Sequence, residues 1–144
     1  MCHKYHFARR AAAFAVWTSP SARHYAEVMQ HGSPRDVVNR QLAVYNAHDI
    51  EGYCALFAPD ATISDLVTGQ MICNGIEEIR GVYTKRFAEN PELHCIVHQR
   101  LEGPTHAIDK ETVYGLPAGP LHIMAIYEVR DRLIRSLRFI RWTD

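Results

Sequence analysis

Apolar positions recur at helical spacing from residue 37 onward, where Val37, Val38, Leu42, Val44 and Tyr45 fall on one arc. Just upstream, Ser33-Pro34-Arg35-Asp36 carries the signals of a helix start: serine as N-cap, proline at the first helical position, an acid at the third. Gln41 interrupts the arc near its middle, so it is either buried with a partner or facing a cavity. Asn46-Ala47-His48 closes this helix. Asp49 caps a second, short one from residue 50 to about 57, with Tyr53, Leu56 and Phe57 as its buried face. Pro59-Asp60 is expected to turn the chain, and short strands follow at 61–65 and 70–73 around a turn at Thr68-Gly69. Asn74-Gly75-Ile76-Glu77 has the form of a capping box, with Asn74 as N-cap. The spacing of Ile76, Ile79, Tyr83 and Phe87 predicts a third helix, ended by Asn90-Pro91.

From Leu93 the period changes to two. Residues 93–101 read as a strand, bulged or bent at Gly103-Pro104 and continuing to 108, with a turn at Asp109-Lys110. Residues 112–116 lead to a break at Pro117-Ala118-Gly119-Pro120. Residues 121–129 form a clear strand, and the face carrying Leu121, Ile123, Ala125, Tyr127 and Val129 is apolar apart from one phenol. Arg130-Asp131-Arg132 turns it into a last strand at 133–142. Helices first, then long strands joined by short connections, predict an α+β domain with an antiparallel sheet and helices on one face.

The chain has 144 residues, enough for one domain with its own core. A formal net charge of +0 offers no field to gather phosphates, so no nucleic acid partner is expected. No apolar run is long enough to cross a bilayer, so no membrane partner is expected either. Cys2, Cys54, Cys73 and Cys95 form no C-x-x-C pair and match no zinc spacing, and three buried thiols in a reducing cytoplasm are expected. The nine histidines are scattered, and neither a metal nor a cofactor is expected. Residues 1–32 differ from the rest: Lys4, Arg9, Arg10 and Arg23 precede the first acid, Glu27. The apolar stretch between them is short for a signal peptide. The segment is therefore expected as a disordered leader, or as the product of an upstream start codon with Met29 the true one, and the domain as 33–144.

The stretch VVNRQLAVYNAHDIEGYCALFAPDATISD, with its N-A-x-D at residues 46–49, A-L-F-A-x-D-A-T at 55–62 and strand-end Asp65, resembles the opening of ketosteroid isomerases and SnoaL-like proteins. G-x-x-x-I-R at 75–80 and the late AIYEVRDRLI are also similar to members of that nuclear transport factor 2-like superfamily. The resemblance covers residues 34–142 and implies a cone. In it a strongly curved, cystatin-like sheet wraps three helices around a mostly apolar pocket for a small hydrophobic molecule, often in a homodimer formed through the outer sheet face.

Ile63 and Asp65 share a face of their strand, so a core-facing Ile63 places Asp65 toward the pocket. The resemblance makes Asp65 the general base, provided its pKa rises toward working pH. The other reading of Asp65 is a strand-end acid accepting turn amides. The isomerases' oxyanion donors, a tyrosine and a carboxylic acid, are replaced at the matching positions by Gln41 and Ala125. Losing one such donor costs roughly 3–4 kcal/mol of transition-state stabilisation. Tyr127 and Tyr45 are the substitutes, each readable also as a core tyrosine. His122 is expected on the outer sheet face, and His98 on either face. The mixed apolar and charged last strand is expected to support a homodimer. The expected function is proton transfer next to a carbonyl, as in a steroid delta-isomerase or SnoaL-like enzyme. The alternative is a non-catalytic ligand-binding or dimerisation domain, and a polyketide cyclase follows by analogy of fold alone.

Overall fold

The computed structural model describes residues 32–144, so the leader expected over 1–32 lies outside the described residues apart from Gly32. In chain order the elements are α1 (Pro34–Asn46), α2 (Ile50–Cys54), β1 (Phe57–Asp65), β2 (Met71–Asn74), α3 (Ile76–Glu89), β3 (His94–Glu102), β4 (His106–Tyr114), β5 (Leu121–Arg130) and β6 (Leu133–Trp142). The strands form one six-stranded sheet in the order β2-β1-β6-β5-β4-β3. All neighbours are antiparallel except β1 and β6, whose parallel pairing brings the first strand beside the last. Helix α1 packs against β3, β4 and β5, and α3 against β1 and β2. The α+β class and the cone of helices against a curved sheet are thus as expected, with one parallel pair in a sheet expected to be antiparallel throughout.

The Asn-Ala-His-Asp motif works by joining elements. The Asn46 side chain makes a two-way clamp on the backbone of Cys95, donating to its carbonyl at 3.0 Å and accepting from its amide at 2.7 Å. His48 turns the chain with a positive φ of 54° and reaches the Leu93 carbonyl at 2.7 Å. Asp49 accepts from the Gly52 amide at 2.9 Å to cap α2. A β-carbon at residue 52 would lie 2.3 Å from that carboxylate, so the cap requires glycine there. One short motif therefore ends α1, starts α2 and fixes where β3 begins.

Several local expectations are corrected. Helix α2 stops at Cys54, and Phe57 already belongs to β1. Pro59-Asp60 does not turn the chain but lies inside β1, at an irregularity in its pairing with β6. Gly75, not Asn74, caps α3, and it is Glu78, not Glu77, that reaches back, accepting from the Asn74 amide at 2.7 Å. Residues 103–105 form a tight connection between antiparallel β3 and β4 in place of a bend, and the bulge in β3 falls between Val97 and Gln99. Asp109-Lys110 is no turn: both residues lie in the middle of β4, with Asp109 paired to Ala125 across the sheet.

The inner face is largely apolar. Val37 and Val38 from α1, Ile79 from α3, Ile63 from β1 and Ile134 and Leu137 from β6 are buried together. Each such side chain contributes about 1.5–3 kcal/mol by leaving water. Tyr45, Tyr53, Tyr83 and Phe87 interlock edge-on and tilted at the junction of the three helices, the closest pair being Tyr53 and Tyr83 with ring centroids 4.5 Å apart.

Candidate functional site

The three helices and the inner faces of β3 to β6 enclose a cavity of about 510 Å³ of empty space, part of it open to solvent. Leu42, Val113, Leu121, Ile123, Leu137 and Phe139 supply apolar wall. The polar residues on its wall are Gln41 and Tyr45 from α1, Tyr53 from α2, Tyr83 and Arg86 from α3, Cys95 from β3, Glu111 from β4, Tyr127 from β5 and Arg141 from β6. Apolar walls with few placed polar groups are the composition of a small-molecule site.

Glu111 is the group that sequence reasoning missed. Alternation along β4 turns Ala107, Asp109, Glu111 and Val113 inward, and all four are buried. Asp109, only 1% exposed, is neutralised by a two-point contact from Arg100, with Nε and Nη2 at 2.6 and 2.7 Å from its carboxylate oxygens. Arg100 also donates to the Asn39 side chain on α1. Glu111, 7% exposed, has no such partner among the described residues. Burial pushes its carboxyl up, and the charge of Asp109 pushes the same way. The Cys95 thiol and Arg100 pull it down, and the balance lies at about 7. The sequence signal was the period-two run from Ala107 to Val113, obscured because two of its inward positions are acids.

Gln41 and Tyr127 meet inside the cavity, the buried phenol donating to the Gln41 side-chain oxygen at 3.4 Å. Burial first, and then the charge of Glu111, holds the Tyr127 phenol well above its ordinary range, so it is a neutral donor at any working pH. Tyr45 also lines the cavity and accepts from Arg86 Nε at 3.2 Å, its own phenol pushed up by burial. Ala125 is fully buried in β5 and does not line the cavity, and it brings no polar group. The strand beside it does: Asp109 stands directly across from Ala125, and Glu111 across from Ile123.

Asp65 is on the inner face, as its spacing from Ile63 required, and is 7% exposed. Its surroundings lower the carboxyl, where the role of base calls for a raised pKa. Its Oδ1 accepts from the amides of Val67 and Thr68 at 3.0 and 2.9 Å, and its Oδ2 from Arg141 at 2.8 Å. The Thr68 amide foremost, with Arg141 next, lowers the carboxyl to about 2. Arg141, not Asp65, is the member of this pair that lines the cavity. These contacts fit the second of its two readings, an acid that ends β1 and accepts amides of the turn to β2.

None of the described histidines lines the cavity. His98 and His122 share the Thr112 hydroxyl at 2.8 and 3.0 Å on the opposite face of the sheet, where His122 stacks on Trp142. No group of three or more His, Cys, Asp or Glu able to hold a metal ion occurs among the described residues. No helix among them is long and apolar enough to cross a membrane.

Solved structures show the same architecture. An uncharacterized cystatin-fold protein from Novosphingobium aromaticivorans superposes with a TM-score of 0.71 at 23% identity, over 76% of this chain and 98% of that one. An NTF2-like protein of unknown function from Cytophaga hutchinsonii gives 0.65 at 14% identity, over 76% and 90%. A protein with a ketosteroid isomerase-like fold from Catenulispora acidiphila, solved in complex with trimethylamine, gives 0.63 at 19%, over 73% and 84%. At these identities the likeness is one of fold. No curated protein matches the sequence. The sequence model of the SnoaL-like domain matches residues 38–137, which run from the first core helix through the cavity strands to Leu137. By that match the chain belongs to the SnoaL-like domain family.

Proposed function

We propose that the cavity binds a small, largely apolar molecule bearing a carbonyl and moves a proton next to that carbonyl, in the manner of a steroid delta-isomerase. The observation that carries this reading is Glu111: a buried carboxyl lining an apolar cavity, with a pKa of about 7. Near neutral pH both of its forms are populated, which is what a group that takes and returns a proton needs. Ionised Glu111 removes the proton from the carbon next to the carbonyl. The electron pair moves onto the carbonyl oxygen, and the enolate then takes the proton back at the same or a conjugated carbon. The Tyr127 hydroxyl is the donor for that oxygen. Its present bond to Gln41 is long at 3.4 Å, so redirecting it costs little. This assignment gives the carboxylic role to β4 and leaves Asp65 as the anchor of a turn.

The assay is isomerisation of a 3-keto-5-ene steroid by ultraviolet absorbance, with deuterium uptake next to the carbonyl in heavy water as the broader readout. Activity lost in Glu111→Gln and kept in Asp65→Asn supports the reading. Activity lost only in Asp65→Asn returns the base to Asp65. The mutual satisfaction of Gln41 and Tyr127 favours a second reading, a binding domain without chemistry. Tight ketone binding with no exchange of the neighbouring hydrogens would establish that reading instead.

Ile96, Met124 and Trp142, exposed by 44, 38 and 38% on the outer sheet face, support a homodimer through that face. Sedimentation of the purified protein tests it. The free, buried thiols of Cys54, Cys73 and Cys95 fit a reducing compartment, and we place the protein in the cytoplasm.

A further inference from the structure

Among the described residues, half-buried arginines are paired with acids, with one exception. Arg80 meets Glu51, Arg100 meets Asp109 and Arg135 meets Asp131. Arg86 is equally half-buried, yet no carboxylate among the described residues lies within 4 Å of it. Its place in the last turn of α3 explains a cation in general terms, since the carbonyl end of a helix attracts positive charge. A solvated lysine would serve that end as well. Arg86 instead lines the cavity and donates through Nε to the neutral Tyr45 hydroxyl at 3.2 Å. Its two terminal nitrogens make no hydrogen bond among the described residues. The other arginine on the cavity wall, Arg141, is already committed to Asp65 at 2.8 Å.

A half-buried guanidinium on a cavity wall with its fork unused is placed to receive an anion that completes it. The remaining wall is apolar on several sides, with Leu42, Val113, Ile123 and Phe139 contributing. We propose that the ligand is an amphiphilic carboxylate, its apolar body in the cone and its carboxylate on Arg86. A planar carboxylate matches the two free terminal nitrogens of one guanidinium. The inference rests on the reading of the cavity as a small-molecule site and narrows its substrates to acids, for example keto acids.

The test compares octanoate, 1-octanol and octylamine by calorimetric titration at pH 7 against the wild-type chain and Arg86→Gln. Glutamine keeps a donor for Tyr45 and removes the charge. The expected result is octanoate binding at least ten-fold more tightly than octanol, with octylamine weakest. In Arg86→Gln the octanoate advantage disappears while octanol binding persists, which shows the cavity intact. Equal affinity of octanoate and octanol for the wild type overturns the charge assignment and leaves the apolar cavity standing. An octanoate preference that survives in Arg86→Gln overturns the role of Arg86. If none of the three binds, both this inference and the small-molecule reading fall. The wild-type comparison decides the matter even if the variant does not fold.

Discussion

Replacing Glu111 with glutamine preserves the shape of the side chain and removes its ability to ionise. In the folded protein this carboxyl lies at about 7, against an ordinary value of 4.5. At 1.36 kcal/mol per pH unit, holding the ionised form in the core costs about 3 kcal/mol. The sign follows from proton counting. Between pH 4.5 and 7 the folded chain keeps a proton on Glu111 that the unfolded chain has lost, so stability falls as pH rises through this window. Above pH 7 the whole cost is present, and below 4.5 none of it is. Glu111→Gln is therefore expected to match the wild type near pH 4.5 and to exceed it by up to about 3 kcal/mol at pH 8, on the order of 10 °C in Tm for a domain of this size. Urea unfolding at a series of pH values, read as the difference between the two proteins, isolates this group from every other titration they share. A difference that stays flat from pH 4.5 to 8 would refute the reasoning. A residue that costs stability at working pH is the kind retained for activity.

Three more outcomes follow from the same geometry. Arg100→Met leaves Asp109 charged and unpaired in the core, and is expected to cost about 3–5 kcal/mol in urea unfolding. It also moves the pKa of Glu111 further up, because Arg100 pulls that group down. Asp65, lowered to about 2, stabilises the fold above its ordinary value of 3.8 and loses that contribution as pH falls toward 2. The wild type should therefore weaken over that interval, and Asp65→Asn should weaken less. Gly115→Ala sets a β-carbon 2.2 Å from the Glu92 carbonyl oxygen at a residue whose φ is 81°, so the variant is expected to lose at least about 2 kcal/mol and to show exchange of the β3 amides.

Much of this fold was legible because local chemistry and tertiary structure agree. Ser33 caps α1 through a 3.3 Å bond to the Asp36 amide, as the residues around Pro34 announced. The inward face of β5 holds Ile123, Ala125, Tyr127 and Val129, all buried as alternation required. Asp131 and Arg132 take positive φ values of 52° and 62° to close the hairpin into β6. What was not legible depends on partners far along the chain. Pro59 sits within a strand because β6, over seventy residues later, accepts β1 alongside it. Asp65 faces inward as expected, but its environment is set by Arg141, seventy-six residues away. The costliest misreading was the turn at Asp109-Lys110. Two acids at inward positions resemble a solvated turn when read locally, and only Arg100 from the neighbouring strand makes Asp109 admissible inside. A turn there leaves no inward strand position for Glu111, the carboxyl that lines the cavity among the described residues.

That carboxyl can be observed directly. Carbon-13 labelling of glutamate, with the resonance assigned by its absence in Glu111→Gln, allows the side-chain carboxyl to be titrated by NMR in the folded protein. The expected apparent midpoint lies near 7. A midpoint near the ordinary 4.5 would contradict that expectation and remove the basis for proton transfer in this cavity.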